Sequence, residues 1–337
     1  MKKNFYLKLI WKQFWAKYLN RIGFLIVLFL FSIALLAPLL ANNKPLVLKI
    51  DHNYKFPAVA EIFPFNYWLN YPEFNNIDLK KMSLNKDDYR LMAFVPYSAT
   101  EYDLDDQLMP PGDKHWLGTD EQGRDIMARL IYGSRVSLSV GFIAVGIYVF
   151  LGVILGAIAG YYGGWVDIFI SRLMEIVMCF PTFFLILSVL AFVGPGLGNI
   201  MIVIGITSWP GIARLTRAEF LKLRNQDFVT SIQAAGAKTS RVIFKHILPN
   251  TLAPVFVAAT FGVASSVLVE SSLSYLGFGV QPPTPSWGDI LSQSHDFMDF
   301  AWWLTVFPGI AIFLTITSFN LVGEGLRDAV DPKLKTQ

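Results

Sequence analysis

The chain has little with which to do covalent chemistry. Its 337 residues include one cysteine, Cys179, which excludes an intrachain disulfide and a cysteine-rich metal site. The four histidines, His52, His115, His246 and His295, are scattered without an HExxH pairing, so a zinc enzyme and a bound metal are not expected. There is no GxSxG nucleophile elbow and no GxxxxGK[ST] phosphate loop, and hence no visible means of cleaving a peptide bond or ATP. Charged residues make up only 16% of the chain, and the net charge of +3 says less than where the charges lie.

What the chain does have is apolar length. The 54% hydrophobic content and mean hydropathy of +0.46 come from long uncharged runs, not from the even spread of a soluble core. The first run, Ile22–Leu40, is longer than a signal-peptide core and is followed by a poor cleavage site, Ala-Asn-Asn-Lys, so it reads as a retained anchor. The second is uncharged from Val136 to Val166. The third opens near Ile168, contains Arg172, Glu175 and Pro181, and reaches a break at Val193–Asn199. The fourth, Ile200–Leu215, is short and contains Pro210, so packing as a half-helix inside protein is its alternative. Thr251–Val269 and Ala301–Val322 complete six. The predicted fold is an all-α polytopic membrane protein with six transmembrane helices.

Lys and Arg near the span ends predict orientation. Met1–Arg21 carries six basic and no acidic residues, which places the N-terminus in the cytoplasm. Six spans then return Ala213–Asn250, with seven basic and two acidic residues, to the cytoplasm, and both termini lie inside. Ser271–Phe300 has three Asp and no Lys or Arg, which suits the outside. The resulting division is a cytoplasmic N-terminus and first span (1–41), an external subdomain (42–134), a core of five helices (135–325) holding a cytoplasmic loop (213–250), and a cytoplasmic tail (326–337). The external region is too long for a connector, and FPAVAEIFPFNYWLNYPEF supplies aromatic residues for a modest core, but its alternation does not assign strands.

Four local patterns carry the functional expectations. HWLGTDEQGRDIMARLIYGSRVSLSVG contains Gly118, Thr119, Asp120, Gly123, Arg124 and Asp125. Thr119 and Gln122 fit a capping box, and Ile126, Met127, Leu130 and Ile131 share a face opposite Arg124, Asp125 and Arg129, which predicts an interfacial elbow helix on the outer leaflet. Asp120 and Asp125 lack the further ligands of a calcium loop. Gly152, Gly156 and Gly160, four apart, predict close helix packing. Glu175 and Glu270 lie in or near spans and are expected as ion-pair or cap partners, or as gate residues. SSLSYLGFGVQPPTPSWGDIL reads as a rigid external loop or a plain turn.

The fourth pattern is the basic loop. A helix through Ala235 with Leu221, Phe228 and Ile232 near one face ends at Gly236. Thr239 is expected to cap a second short helix, whose Ile243 and Ile247 share a face, and Pro249 to stop it. A nucleic-acid role is not expected for a helix pair between membrane spans.

The run from Gly236 to Ile247-Leu248-Pro249 resembles the coupling-loop motif of ABC importer permeases. With AGYYGGWVD, PNTLAPV, the elbow motif and SYLGFGVQPPTPSWGDIL, it resembles the C-type permease of dipeptide, oligopeptide and nickel importers. ANNKPLVLKIDHNYKFP further resembles the YejE branch, associated with microcin C and peptide uptake. The resemblance implies a second permease subunit, two cytoplasmic ATPase subunits that use the ATP, and a periplasmic binding protein that delivers a peptide. It implies no cofactor on this chain. It also implies that Thr230–Pro249, including Ala235, Ala237, His246 and Leu248, inserts into a groove on the ATPase. The family often has Glu-Ala-Ala where this chain has Thr230, Ser231 and Ile232, so an acidic contact is missing. Three rivals remain: a metal-chelate importer, an ion-coupled secondary transporter, and a membrane-anchored assembly protein. The largely uncharged mid-spans and the absence of a visible repeat argue against the second.

Overall fold

The computed structural model describes residues 2–50, 53–62, 71, 74, 79–80, 82 and 88–330. His52, part of the aromatic segment at 56–74, and the tail beyond 330 lie outside the described residues. The chain divides into two compact units, Met1–Val27 with Ser139–Glu270 and Leu314–Gln337, and Leu28–Leu138 with Ser271–Phe313.

The fold is mostly helical. After α1 (Lys2–Ala16), α2 (Tyr18–Leu40) is the first helix long and apolar enough to cross a membrane. Among the described residues three more meet that description: α4 (Ile126–Tyr162), the run from α9 (Thr239–Arg241) into α10 (Leu248–Tyr275), and α12 (Trp303–Val330). α5 (Gly164–Met178) and α6 (Thr182–Val193) qualify as a pair bent by 83°. The bend falls at Pro181, which precedes α6 and has no N–H to continue a helix. These are four to five candidate spans. The stretch Ile200–Leu215 is not a separate span among them. It forms the first part of α7 (Leu197–Arg224), which continues without a break into the polar run ending at Arg224.

In the first unit the glycine pattern has a physical cause. A Cβ on Gly152 would meet Ile212 at 2.7 Å, one on Gly156 would meet the Ala213 carbonyl at 2.4 Å, and one on Gly160 would meet Phe220 at 2.6 Å. The contacts advance together along both helices, so α4 and α7 run side by side in the same direction with their backbones touching.

The second unit holds a small antiparallel sheet of order β2-β1-β3, made from β1 (Val47–Ile50), β2 (Asn53–Lys55) and β3 (Tyr89–Leu91), with the short α3 (Pro57–Ile62) beside it. Leu48 is fully buried there, with Phe74 and Leu79. A second cluster joins Ala37 and Ala41 to Val95, Ala128 and Ile131.

Candidate functional site

The sequence motifs point to two sites, one in each unit. The first is the 225–249 segment. α7 ends at Arg224, and α8 (Asp227–Ala234) begins after a two-residue break. Gly236 has φ of 78°. Its N–H donates to the Gln233 carbonyl at 2.9 Å, and the Ala237 N–H reaches back to the Ile232 carbonyl at 3.3 Å. This pair of bonds is the Schellman arrangement, which needs a left-handed residue, and glycine supplies it at the lowest cost. The expected break is therefore present at the expected residue.

The second half of the segment departs from expectation. Lys238 precedes α9 without a side-chain cap bond, and Thr239 is the first helical residue, not its cap. Pro249 does not stop the helix; it sits second in α10. Val242–Ile247 is π-helical, and the Leu248 N–H bonds to the Ile243 carbonyl five residues back. The wider turn accommodates a proline that lacks a donor and would crowd an ordinary α-turn. Asn250 Nδ2 then donates to the His246 carbonyl at 2.6 Å.

The segment is held by apolar contact. Phe220, Val229, Val242 and Ile247 are fully buried with Ala157 and Leu223, and Ile232, Ala237, Ile243 and Leu248 pack against them. The inward seam is thus Phe220, Leu223, Val229 and Ile232, not the expected Leu221 and Phe228; Phe228 is exposed. Thr230, Ser231, Ala235 and Gly236 are exposed, and so is Pro249, while His246 is half-buried. Thr230 Oγ1 bonds only to its own helix, at the Asp227 carbonyl. From Thr230 to Gly236 the outward side chains are therefore small or polar and uncharged, with Asp227 and Phe228 exposed at the start of α8.

An ion pair that sequence reasoning missed lies near this segment. Arg217 on α7 grips Asp167 on α5 with both Nε and Nη2, the latter at 2.6 Å. The signal was available in AGYYGGWVD, whose two glycines, Gly163 and Gly164, both have positive φ and bring Asp167 round to α7. Glu175 pairs with Arg172 on the exposed face of α5, whereas Glu270 on α10 is fully buried.

The second site is a buried charge cluster in the other unit. The expected capping box at Thr119 and Gln122 does not form. Thr119 Oγ1 donates to the Asp106 carbonyl and accepts from the Met109 N–H. Residues 118–125 make a tight loop closed by a Thr119–Asp125 bridge, and α4 begins only at Ile126. Asp125 supplies the cap instead, its Oδ1 accepting from the Ala128 N–H at 2.8 Å. No separate interfacial helix precedes the span, and Arg124, Asp125 and Arg129 do not form an exposed face. All three are buried, with Asp120.

These buried charges compensate one another. Asp120 accepts from the N–H groups of Gln122 and Arg124 at 2.9 Å, from Arg124 Nε at 2.7 Å and from Arg129 Nη1. Arg129 Nη2 extends to Asp289, 160 positions away on α11 (Trp287–Gln293). Burial pushes the Asp289 carboxyl up, and Arg129 draws it partly back. Trp287, also buried, donates its Nε1–H to the Leu130 carbonyl at 3.0 Å. The external-loop motif is therefore the support of the elbow, with its prolines confined to the irregular stretch before Ser286, which caps α11. His115 joins Asp125 at 2.8 Å and Asp106 at 3.4 Å, and the Lys114 ammonium beside Asp106 holds that carboxyl below the usual range. Gly118 and Gly123 have φ of 79° and 71°, and a Cβ on Gly123 would lie 1.7 Å from the Asp103 carbonyl oxygen. Asp120 is fully engaged by arginines, and among the described residues no cluster of His, Cys, Asp and Glu is arranged to hold a metal ion.

Residues 152–336 match the binding-protein-dependent transport system inner membrane component family, and the chain is a member of it. It is 45% identical over 239 residues to the dipeptide transport system permease protein DppC of Alkalihalophilus pseudofirmus, covering 71% of this chain and 79% of that one. It is 44% identical to the di/tripeptide transport system permease protein DppC of Pseudomonas aeruginosa, over 72% of this chain and 82% of that one. It is 40% identical to the glutathione transport system permease protein GsiD of Pectobacterium atrosepticum, over 72% of this chain and 81% of that one. Among solved structures, a chain of the inward-facing MetNI methionine ABC transporter superposes with a TM-score of 0.51 at 18% identity, covering 61% of this chain and 98% of that one, a likeness of fold. The chain is an ABC transporter permease, a multi-pass protein of the inner membrane.

Proposed function

We propose that the chain is a permease subunit of an ATP-driven importer that moves di- or oligopeptides, or peptide-like compounds, into the cytoplasm. The observation that carries this is the 45% identity to a dipeptide permease over 71% of the chain. A nickel or metal-chelate cargo is not favoured, since relatives at 40–45% identity are named for dipeptides, di/tripeptides and glutathione. Nor is an ion-coupled secondary transporter, given the binding-protein-dependent family.

The rest of the machine is a second permease, two cytoplasmic ATP-binding subunits that use the ATP, and a periplasmic binding protein. The face of α8 from Thr230 to Gly236, with the π-helical turn behind it, docks on an ATP-binding subunit. Shape and apolar contact carry that docking, because Thr230 and Ser231 supply no charge. Six spans and cytoplasmic termini result if α7 crosses as the fourth span. Its direction, parallel to α4 and in contact from Gly205 to Phe220, supports that count. The charge pattern supports an external position for residues 42–134. The buried cluster at 106–129 then fixes the entry of α4 on the outer side. The test is uptake of radiolabelled dialanine by cells expressing the whole transporter with and without this chain. Uptake that depends on the chain and on ATP is expected; equal uptake in its absence would overturn the reading.

A further inference from the structure

The first unit contains a cavity of about 480 Å³ between α4, α6, α7 and α10. Its wall carries the hydroxyls of Tyr148, Thr182, Ser208, Ser265 and Ser266 and no Asp, Glu, Lys, Arg or His. Tyr148 lies fourteen residues before the end of α4, about 21 Å along the helix. In hydrocarbon such groups gain nothing from lipid, so they mark protein contact or a wet path. Ser265 already bonds within its helix to the Phe261 carbonyl at 3.2 Å. Among the described residues the hydroxyls of Tyr148, Thr182 and Ser208 have no protein partner and remain available to a ligand. One position on its wall is filled and another is open. The Tyr148 hydroxyl occupies the place a Cβ on Gly262 would take, at 1.5 Å, and a Cβ on Gly211 would meet nothing within 4 Å.

We propose that this cavity is a transit site for peptide main chain, with the hydroxyls of Tyr148, Thr182 and Ser208 bonding amide N–H and C=O groups, and that it passes acidic, neutral and basic side chains alike because it carries no charge. The inference rests on the peptide-importer reading and specifies which groups of the cargo this chain reads. Amides are common to every peptide, and a hydroxyl both donates and accepts. A fixed charge on this wall would discriminate between side chains of opposite sign.

The test uses cells expressing the complete transporter and three labelled probes at saturating concentration, Ala-Ala, Ala-Glu and Ala-Lys. Wild-type uptake of all three shows that the chain serves a peptide importer; uptake of none sinks both readings. With that established, Gly211→Asp is expected to lower Ala-Glu uptake roughly tenfold relative to Ala-Lys, and Gly211→Lys to reverse the order. The ratio within one variant is independent of expression level, and Ser208→Asp and Ser208→Lys give the same readout if the glycine variants fail to insert. Equal effects on all three probes, or none, in inserted variants of both positions would overturn the proposal while leaving the importer reading intact.

Discussion

The 106–129 segment and the 225–249 segment use charge in opposite ways. In the first, Asp120, Arg124, Asp125 and Arg129 are buried: Asp120 is bonded by both arginines, Arg129 reaches on to Asp289, and Asp125 is held by His115 and the Ala128 N–H. In the second, Asp227, Lys238, Arg241 and Lys245 are all exposed, and among the described residues none forms an ion pair. A buried network of this kind fixes one geometry, because losing any member strands the others away from water. A segment held by a handful of apolar contacts, with its polar groups outside, can be pulled or pushed as a unit. On the proposed reading, one segment is a fixed anchor and the other transmits motion.

The contrast is broken most severely at Arg129. Arg129→Met removes the shared partner of Asp120 and Asp289 and should cost about 3–5 kcal/mol, read as loss of folded protein in a thermal melt. Next is the α4–α7 contact. Gly156→Leu should lower stability by about 1–3 kcal/mol through overpacking, because the Ala213 carbonyl leaves no room. Gly146→Leu, on the same helix with nothing within 4 Å of its Cβ, should melt as wild type does, and equal losses would refute the close approach. A smaller effect concerns pH. Asp106 is depressed chiefly by its bond from Lys114, so its contribution is complete above the unfolded value near 3.8 and fades as pH falls through the folded value. Between roughly pH 5 and pH 3, wild type should therefore lose more melting temperature than Lys114→Met. The smallest effect is expected at Thr230→Ala, within about 0.5 kcal/mol, since that side chain is exposed and bonds only to its own helix.

Sequence reasoning succeeded where the cause is local. Gly236 must adopt a left-handed conformation to close α8, and a periodic glycine stripe is visible without knowing which helix will fill it. It failed where distant residues compete for the same groups. Thr119 and Gln122 have the spacing of a capping box, yet the Thr119 hydroxyl is taken by residues 106 and 109, which moves the start of the helix to Asp125. No local period links Arg129 to Asp289. Pro249 was misjudged because the stop it predicts assumes α-geometry, and the π-turn before it removes the conflict. The sheet was invisible because its strands are three or four residues long, too short for alternation to register.

The central claim, that the α8 turn couples this permease to ATP hydrolysis, is tested most directly at Gly236 in the reconstituted transporter. A Cβ there meets nothing in this chain within 4 Å and costs only the strain of φ at 78°, about 1–2 kcal/mol. The measurement is peptide-stimulated ATPase activity and uptake for Gly236→Ala and Gly236→Asp, with assembled complex quantified in parallel. The account predicts that Gly236→Ala retains most activity, whereas Gly236→Asp inserts normally and loses uptake and stimulation together. Wild-type uptake by Gly236→Asp would contradict it.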